Sequence, residues 1–548
     1  MSAHAWDYLI VTASNDDQAH AYETQLFRRR DHGLLSAFRH VLVVGDPEGR
    51  RIGSGGSTAL CLLTVLGLES QSGSASSTIN AVETLSRLRI LILHAGGDSR
   101  RLPAYGPCGK IFVPVPGNIE SPLGCSLFDR LLPPFLRLPA GLPGRGQVVV
   151  AAGDALVDFD PSPVRLDLPG MIALTCPASV EAASKHGVFC PDGNGRVRLY
   201  LQKPSPARQR ELGALNTNNE ALLDIGIMSF DAACAGAMLN AFEVAPSTST
   251  STAAGTLTLD WSPRSRDLLW QHGADFYREI CCALGTETTL DHYEDQCRTS
   301  GSSWDTPTLE RVFHCLSPQP FHLQQVPYCR FLHFGTTAQL LTSGAELRSR
   351  DFPGSPEQSP LVLNSRVEGQ GKITGSPSWI EGCHIAAPFT LAGNNVVAGV
   401  DIEEAVALPE GLCVDTLSGR SREGAPVHFA RIYGVRDTFK DAFSRNATYC
   451  GKPLAQWLVE CGLSLKDVWP DSVAEGDRSL WNARVFPASA SKHGWRDWLW
   501  LAQPSNATPE KHEAFRSADR YSAAEIALLA DPEAFFKRRD QLRDKSPA

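Results

Sequence analysis

The sequence predicts an α/β fold: a mostly parallel sheet covered by helices over residues 1–340, a short left-handed β-helix over 341–412, and a mostly helical region over 413–548. Three observations carry that prediction. Short apolar runs alternate with helix-like stretches through the first third of the chain. Apolar residues then recur at every sixth position from Leu361 to Val397. From about residue 440 the chain becomes rich in tryptophan and in helix-forming segments.

In order along the chain, Tyr8-Leu9-Ile10-Val11 reads as a strand and residues 16–30 as a helix. Val41-Leu42-Val43-Val44 is a strand ending in Gly45-Asp46, and the glycine-rich stretch 53–58 opens an apolar helix. Further strands are expected at 88–93 and at Val148-Val149-Val150, the latter ending in Gly153-Asp154. Folds of this rhythm place ligands outside the carboxyl ends of their strands, so the loops near 45–58, 94–103 and 153–154 are expected to line one edge. Residues 244–256 are rich in Ser, Thr and Ala and read as a surface loop. Leu361, Val367, Ile373, Trp379, Ile385, Leu391 and Val397 fit neither a helix nor an alternating strand. A hexapeptide coil puts one apolar side chain per short strand into a shared core, with Gly369, Gly375, Gly382, Gly393 and Gly399 easing the corners. So short a coil has open ends, to be covered by the C-terminal helices or by a second copy of the chain in a homo-oligomer. Residues 522–545 read as one or two amphipathic helices.

Composition excludes several function classes. The net charge of −9 argues against nucleic acid or an anionic membrane surface as the main partner, so an anionic substrate must meet a local basic pocket. The 15 cysteines show neither a CxxC pair nor a metal-ligand spacing and read as reduced thiols of a cytoplasmic protein. The first residues lack the basic flank and apolar core of a signal peptide, and no apolar run approaches the ~20 residues of a membrane span.

One segment breaks the acidic pattern. His94-Ala-Gly-Gly-Asp-Ser-Arg-Arg-Leu-Pro103, followed by Lys110-Ile-Phe-Val-Pro-Val115, joins bare backbone to three fixed cations directly after a buried strand. Gly96 and Gly97 let N–H groups approach an anion closely. Arg100 and Arg101 supply bidentate phosphate donors and Lys110 a compact movable charge. Together they describe a polyphosphate site; the plainer alternative is a surface turn whose arginines face water.

These residues resemble the signature of sugar-nucleotide pyrophosphorylases, Gly-Gly-x-Gly-Thr-Arg-Leu and then a lysine before an apolar-Pro segment. The fuller string 94–103 narrows the resemblance to the GDP-fucose pyrophosphorylase (fucose-1-phosphate guanylyltransferase) family, including its bifunctional fucokinase members. Supporting pieces occur in order: Trp6-Asp-Tyr-Leu-Ile-Val-Thr-Ala-Ser-Asn15, Arg51-Ile-Gly-Ser-Gly-Gly-Ser-Thr58, Lys185-His-Gly-Val-Phe189, Leu201-Gln-Lys-Pro-Ser205 and Leu480-Trp-Asn-Ala-Arg-Val-Phe-Pro487. The resemblance implies a Rossmann-like nucleotidyltransferase domain and the reaction of GTP with L-fucose 1-phosphate to give GDP-L-fucose and pyrophosphate, assisted by Mg²⁺.

Residue roles follow from the same resemblance. Arg101 and Lys110 are the catalytic cations that meet the departing phosphates. Gly96, Gly97, Ser99 and Arg100, with Gly55, Gly56 and Ser57, are expected at the nucleotide. Asp154 matches the Mg²⁺ carboxylate, with a turn-capping role as the alternative. Lys203, Gly187, Asp224, Gly226 and His333 are expected at the sugar phosphate. For Lys203 the alternative is a solvated lysine, and for Gly226 a packing glycine. Many relatives carry Asp-x-Gly-Thr where this chain has His333-Phe-Gly335-Thr336. Imidazole suits Mg²⁺ poorly, so His333 is expected to bond sugar or phosphate, or to be satisfied by backbone, and Asp260 is a candidate second carboxylate. No Gly-Leu-Gly-Ser-Ser-type kinase loop occurs, so either a separate fucokinase is an expected partner or this chain is a fragment of a longer protein. Three other readings stay open: another nucleotide or sugar 1-phosphate, a non-catalytic sugar-nucleotide-binding scaffold, and a fucokinase.

Overall fold

The structure, a computed structural model, describes residues 5–72, 80–97, 100–117, 121, 123–153, 155–248, 257–354 and 358–544. The sequence leads one to expect three consecutive domains; the chain instead forms two compact units that each use distant segments. The first unit comprises Met1–Gly97, Leu131–Gly153 and Val157–Phe331, and the second Asp98–Arg130, Asp154–Leu156 and Leu332–Ala548. Segment 98–130, expected in the first domain, clusters with the later residues because it adds no strand to the first sheet.

In the first unit a nine-stranded sheet forms from β1 (Trp6–Ala13), β2 (Phe38–Gly45), β3 (Arg89–His94), β4 (Gln147–Ala152), β5 (Met171–Ser179), β6 (Gly187–Pro191), β7 (Val197–Gln202), β8 (Glu220–Phe230) and β9 (Phe321–Gln325). The main path runs β9-β5-β8-β4-β3-β1-β2, and β6 and β7 make a hairpin beside β8. β2, β1, β3 and β4 are parallel, whereas β8 is antiparallel to β4 and β5. Ile90, Leu91, Ile92 and Leu93 are fully buried, as expected of a strand covered on both faces, so β3 shows no alternation. Helix α1 (Asp16–Asp31) follows β1. The Asn15 side chain caps it by accepting from Gln18 N–H, Asp16 and Asp17 sit in its first turn, and Arg28, Arg29 and Arg30 in its last. Helix α2 (Gly53–Ser72) follows β2.

β2 lies on one side of β1 and β3 on the other, so the chain reverses its direction of travel across the sheet here. In open α/β sheets that switch point is where ligands bind, at the carboxyl ends of the strands. Asp46 N–H donates to Ala13 O, and Gly153 N–H to His94 O. The three loops singled out from the sequence therefore leave one edge of the sheet together. The stretch 244–256 departs from the loop expectation in part: Val244–Thr248 pairs antiparallel with Leu257–Trp261, and residues 249–256 lie outside the described residues.

The second unit contains three short parallel sheets wound as a three-faced stack. Leu361–Leu363, Trp379–Glu381 and Val396–Ala398 make one face, Arg366–Val367, His384–Ile385 and Asp401–Ile402 the second, and Lys372–Gly375, Pro388–Leu391 and Val406–Leu408 the third. Inside lie Ile380, Ile385, Leu391, Val397, Ile402, Leu408 and Val414. The six-residue period is corrected at Trp379. The next rung pairs Ile380 with Val397 and Trp379 with Val396, so Ile380 enters the core and Trp379 takes the opposite face. There it packs on Gly344 of α3 (Thr337–Asp351), where a Cβ would lie 2.6 Å from the indole. The first rung is open, with Val367 43% exposed.

The mostly helical expectation for 413–548 is also corrected. Two nine-residue strands, β10 (Leu412–Arg420) and β11 (Pro426–Gly434), form an antiparallel hairpin that continues one face of the stack. Their alternation was masked by charged residues that turn out to be buried, Asp415 and Arg431. Helices follow, ending in α4 (Pro532–Asp544). No helix of the described residues is long and apolar enough to cross a membrane.

Candidate active site

In the first unit the glycine turn after β3 is seated by side chains of β1, α1 and the turn between them. Thr12 Oγ1 accepts from Ala95 N–H at 3.1 Å, and Tyr22 Oη donates to Ala95 O at 3.0 Å. Gln18 Nε2 donates to Gly97 O at 3.1 Å, while its Oε1 accepts from Ser14 N–H at 2.8 Å. Gly97 has φ +110°, a conformation that favours glycine, and a Cβ there would meet open space. Among the described residues nothing accepts from the N–H groups of Gly96 or Gly97. The turn is thus a fixed pair of backbone donors at the switch point, suited to an anion. At its entrance His94 Nε2 meets Thr58 Oγ1 at 3.0 Å, and desolvation pushes its imidazole down to about 4, so it is neutral near pH 7.

The loop opening α2 differs from expectation. Gly55 and Gly56 both donate their N–H groups to Ala274 O, at 2.7 and 3.4 Å. A Cβ on Gly55 would lie 3.0 Å from Ile280 and one on Gly56 3.1 Å from Ile52. The Ser57 hydroxyl donates to Asp46 at 2.8 Å, and burial pushes that carboxyl up to about 6. These glycines serve close packing of the helix start, and the backbone donors expected at a nucleotide are already engaged.

The expected sugar-phosphate residues of the first unit do come together. Gly187 pairs with Gln202, and Lys203 N–H donates to His186 O. Lys203 is exposed and holds φ +45°, a left-handed conformation unusual for a side chain of its size. Buried between these strands, Tyr200 Oη donates to Asp224 Oδ2 at 2.7 Å and accepts from Gln202 Nε2 at 3.0 Å. Asp224 Oδ1 accepts from Gly226 N–H at 2.7 Å beside the bulge in β8. Asp224 is a buried brace, with both carboxylate oxygens engaged. Sequence reasoning missed Tyr200, although it stands three residues before Lys203 and directly ahead of a quoted motif.

Two expected results follow. A Cβ on Gly187 would lie 2.1 Å from Tyr200 Oη, so Gly187→Ala pushes the ring off Asp224 and destabilises the chain by about 1–3 kcal/mol, read from urea midpoints. Burial raises the Asp224 carboxyl from 3.8 to about 6. A raised folded pKa means the native state holds the proton more tightly. The stabilising contribution is therefore full below about pH 4 and is lost as the pH rises through about 6. Asp224→Asn flattens the fall in stability between pH 4 and 6 by about 2–3 kcal/mol, measured by urea denaturation at stepped pH.

In the second unit the signature segment is tied down at alternate residues. Thr337 N–H, at the start of α3, donates to Arg101 O at 3.0 Å. Arg431 Nη2 donates to Pro103 O at 2.8 Å, and its Nε to Asp415 Oδ1 at 2.7 Å. Tyr105 Oη accepts from Trp379 Nε1 at 2.8 Å and donates to Glu381 Oε2 at 3.3 Å. Glu381 is in turn held by Arg539 of α4, whose Nε lies 2.8 and 3.0 Å from its two oxygens. Arg101 is exposed and Lys110 half-buried. The Arg100 guanidinium lies 5.8 Å from the centroid of Trp481, in a motif whose role the sequence left open. His333 O accepts from Ser343 Oγ at 2.7 Å, and four residues on comes Thr337, so the structure brings the His333 stretch to Arg101.

A family model described as a fucose pyrophosphorylase domain matches residues 82–491, three quarters of the chain. The chain belongs to the fucose pyrophosphorylase family. Members with curated names are similar to it over most of its length. A bifunctional fucokinase/GDP-fucose pyrophosphorylase of Arabidopsis thaliana is 27% identical, over 95% of this chain and 50% of that one. An L-fucokinase/L-fucose-1-P guanylyltransferase of Bacteroides fragilis is 26% identical, over 91% and 48%. A fucose-1-phosphate guanylyltransferase of Homo sapiens is 25% identical, over 89% and 82%. The chain spans about half the length of the first two. A solved structure titled mannose-1-phosphate geranyltransferase, from Thermus thermophilus, covers 78% of this chain and 95% of its own at 12% identity, with a TM-score of 0.28, too loose a likeness to bear on the fold.

Metal-ligand expectations fare unevenly in this family member. Asp154 and Ser99 lie outside the described residues. Asp260, the candidate second carboxylate, is half-buried and pairs with Arg266 at 2.6 Å. His384, Asp401 and Glu403 stand close enough to share an ion, but Arg538 and Lys492 already neutralise Asp401.

Proposed function

We propose that this chain is a fucose-1-phosphate guanylyltransferase, joining GTP and L-fucose 1-phosphate into GDP-L-fucose with release of pyrophosphate. The observation that carries the reading is the family match across residues 82–491, which contains Gly96, Gly97, Arg101, Lys110 and Lys203. The names of the relatives support the same reaction.

In that reaction a sugar-phosphate oxygen forms a bond to the α-phosphorus of GTP, and the bond from that phosphorus to the bridging oxygen of pyrophosphate breaks on the opposite side. Little covalent chemistry is asked of the protein; it aligns two polyanions and stabilises charge on the leaving group. The Gly96–Gly97 turn offers backbone N–H groups to phosphate oxygens. Arg101 and Lys110 take the charge that builds on the departing pyrophosphate, and Arg100 assists at the nucleotide. Lys203 takes the sugar phosphate, with its strand end braced by Tyr200 and Asp224. His333 is proposed to bond sugar or phosphate oxygens. Asp154 is the proposed Mg²⁺ ligand. Its chemistry suits that hard cation. When bound, the ion neutralises charge on the phosphates. The three-faced stack is taken as a left-handed β-helix. The 15 thiols suit the reducing cytoplasm, and a separate fucokinase is the proposed source of fucose 1-phosphate.

The test is a panel of GTP, UTP, ATP and CTP with fucose 1-phosphate, scored by pyrophosphate release. GTP-dependent release that is lost in Lys110→Ala is expected. Preference for another nucleotide overturns the guanylyl assignment. GDP-fucose binding without turnover indicates a scaffold, and ATP-dependent phosphorylation of free fucose a kinase.

A further inference from the structure

We infer that Arg431 and Tyr105 are positioning residues for pyrophosphate recognition, seating the segment that carries Arg101 and Lys110. The inference deepens the proposed function and rests on it. Residues 101, 103 and 105 are each held by a different polar anchor of the second unit: Thr337 on the Arg101 carbonyl, Arg431 on the Pro103 carbonyl, and Trp379 with Glu381 on the Tyr105 hydroxyl. Arg431 is 1% exposed and Tyr105 fully buried, so neither touches solvent or a ligand. A buried guanidinium needs its charge answered, and Asp415 does that through Nε, which leaves Nη2 to hold a backbone carbonyl with a charge-assisted bond.

The sequence around these anchors explains why they are needed. Gly106 and Gly109 lie between Tyr105 and Lys110, and Gly109 has φ +69°. The stretch closes on itself through Gly106 N–H to Pro103 O and Gly109 N–H to Tyr105 O, so the anchors fix where this turn sits and not its internal shape. Cations that must meet a leaving group within about 1 Å depend on such external anchors; misplacement of that order costs about 100-fold in rate. The anchors act on one substrate group only. The Gly187, Lys203 and Asp224 cluster lies in the first unit and has its own hydrogen bonds, from Tyr200 and Gly226 to Asp224 and from Lys203 N–H to His186 O.

Tyr105→Phe removes one hydroxyl. Arg431→Met combined with Asp415→Asn removes the carbonyl anchor without stranding a buried charge. Val400→Ala, in the core of the stack, serves as a control that loosens the same unit without touching an anchor. Inorganic pyrophosphate binding is measured by calorimetry on the full chain, alongside KM for pyrophosphate in the reverse reaction and KM for fucose 1-phosphate in the forward one. Both anchor variants are expected to weaken pyrophosphate binding about tenfold or more and to lower kcat about 100-fold, with KM for fucose 1-phosphate unchanged. Val400→Ala lowers Tm and leaves pyrophosphate affinity intact. Anchor variants that bind pyrophosphate like the wild type, or lose it only as their Tm falls, overturn the inference. A wild type that binds pyrophosphate without turning over GTP and fucose 1-phosphate overturns the proposed function but not the seating role. One that does neither overturns both.

Discussion

Replacing Arg101 by alanine lowers kcat for GDP-fucose formation about 10²- to 10³-fold, a loss of about 2.7–4 kcal/mol of transition-state stabilisation, by comparison with removal of one oxyanion donor. The unfolding midpoint stays where it was. The fold uses this residue through its backbone carbonyl, which accepts from Thr337, and alanine keeps that bond. The residue is exposed, so the change removes little packing. Arg101→Lys restores only part of the rate, because an ammonium cannot present two parallel donors to a phosphate. Initial rates with saturating GTP check the prediction, and a kcat within about threefold of wild type would show that the charge on the leaving group is stabilised elsewhere.

The second large effect falls on stability. Arg539→Ala strands Glu381, which is fully buried, and is expected to destabilise the second unit by about 3–5 kcal/mol. The remaining bonds to the carboxylate, from Asn364 Nδ2 at 2.9 Å and Tyr105 at 3.3 Å, carry no positive charge. The change also removes a guanidinium carbon stacked 3.3 Å from the centroid of Phe535. Adding Glu381→Gln relieves much of the cost, since an amide tolerates burial better than an unpaired carboxylate. Urea titration followed by tryptophan fluorescence separates the two: the double variant unfolds at higher urea than the single. If both unfold like the wild type, the buried pair contributes nothing.

The parts of the fold that repeat or alternate were legible. β1, β3 and β4 read as continuous apolar runs because both faces are covered, and the stack was visible as a six-residue period. What failed needed knowledge of the partner surface. Gly55 and Gly56 looked like a ligand loop, but bare backbone serves Ala274 equally well, and no local pattern separates the two uses. Trp379 kept the six-residue count while the register slipped under it, and the indole faces Tyr105 instead of the core. The candidate site was named in the sequence from its charged signature residues and Lys203. The neutral groups that shape it, Thr12, Gln18, Tyr200 and Thr337, carry no charge signal, and Asp415 and Arg431 lie in a region the sequence presented as mostly helical.

The bond from Arg431 to Pro103 spans 328 positions of chain. At 5–20 residues per second on a ribosome, roughly 16–66 s separate the emergence of the signature from that of its anchor. The first sheet has all its strands by Gln325 and is free to assemble in that interval. A nascent chain therefore carries a finished scaffold well before it carries a competent grip, and a translational stall between these two points leaves a folded but inert product.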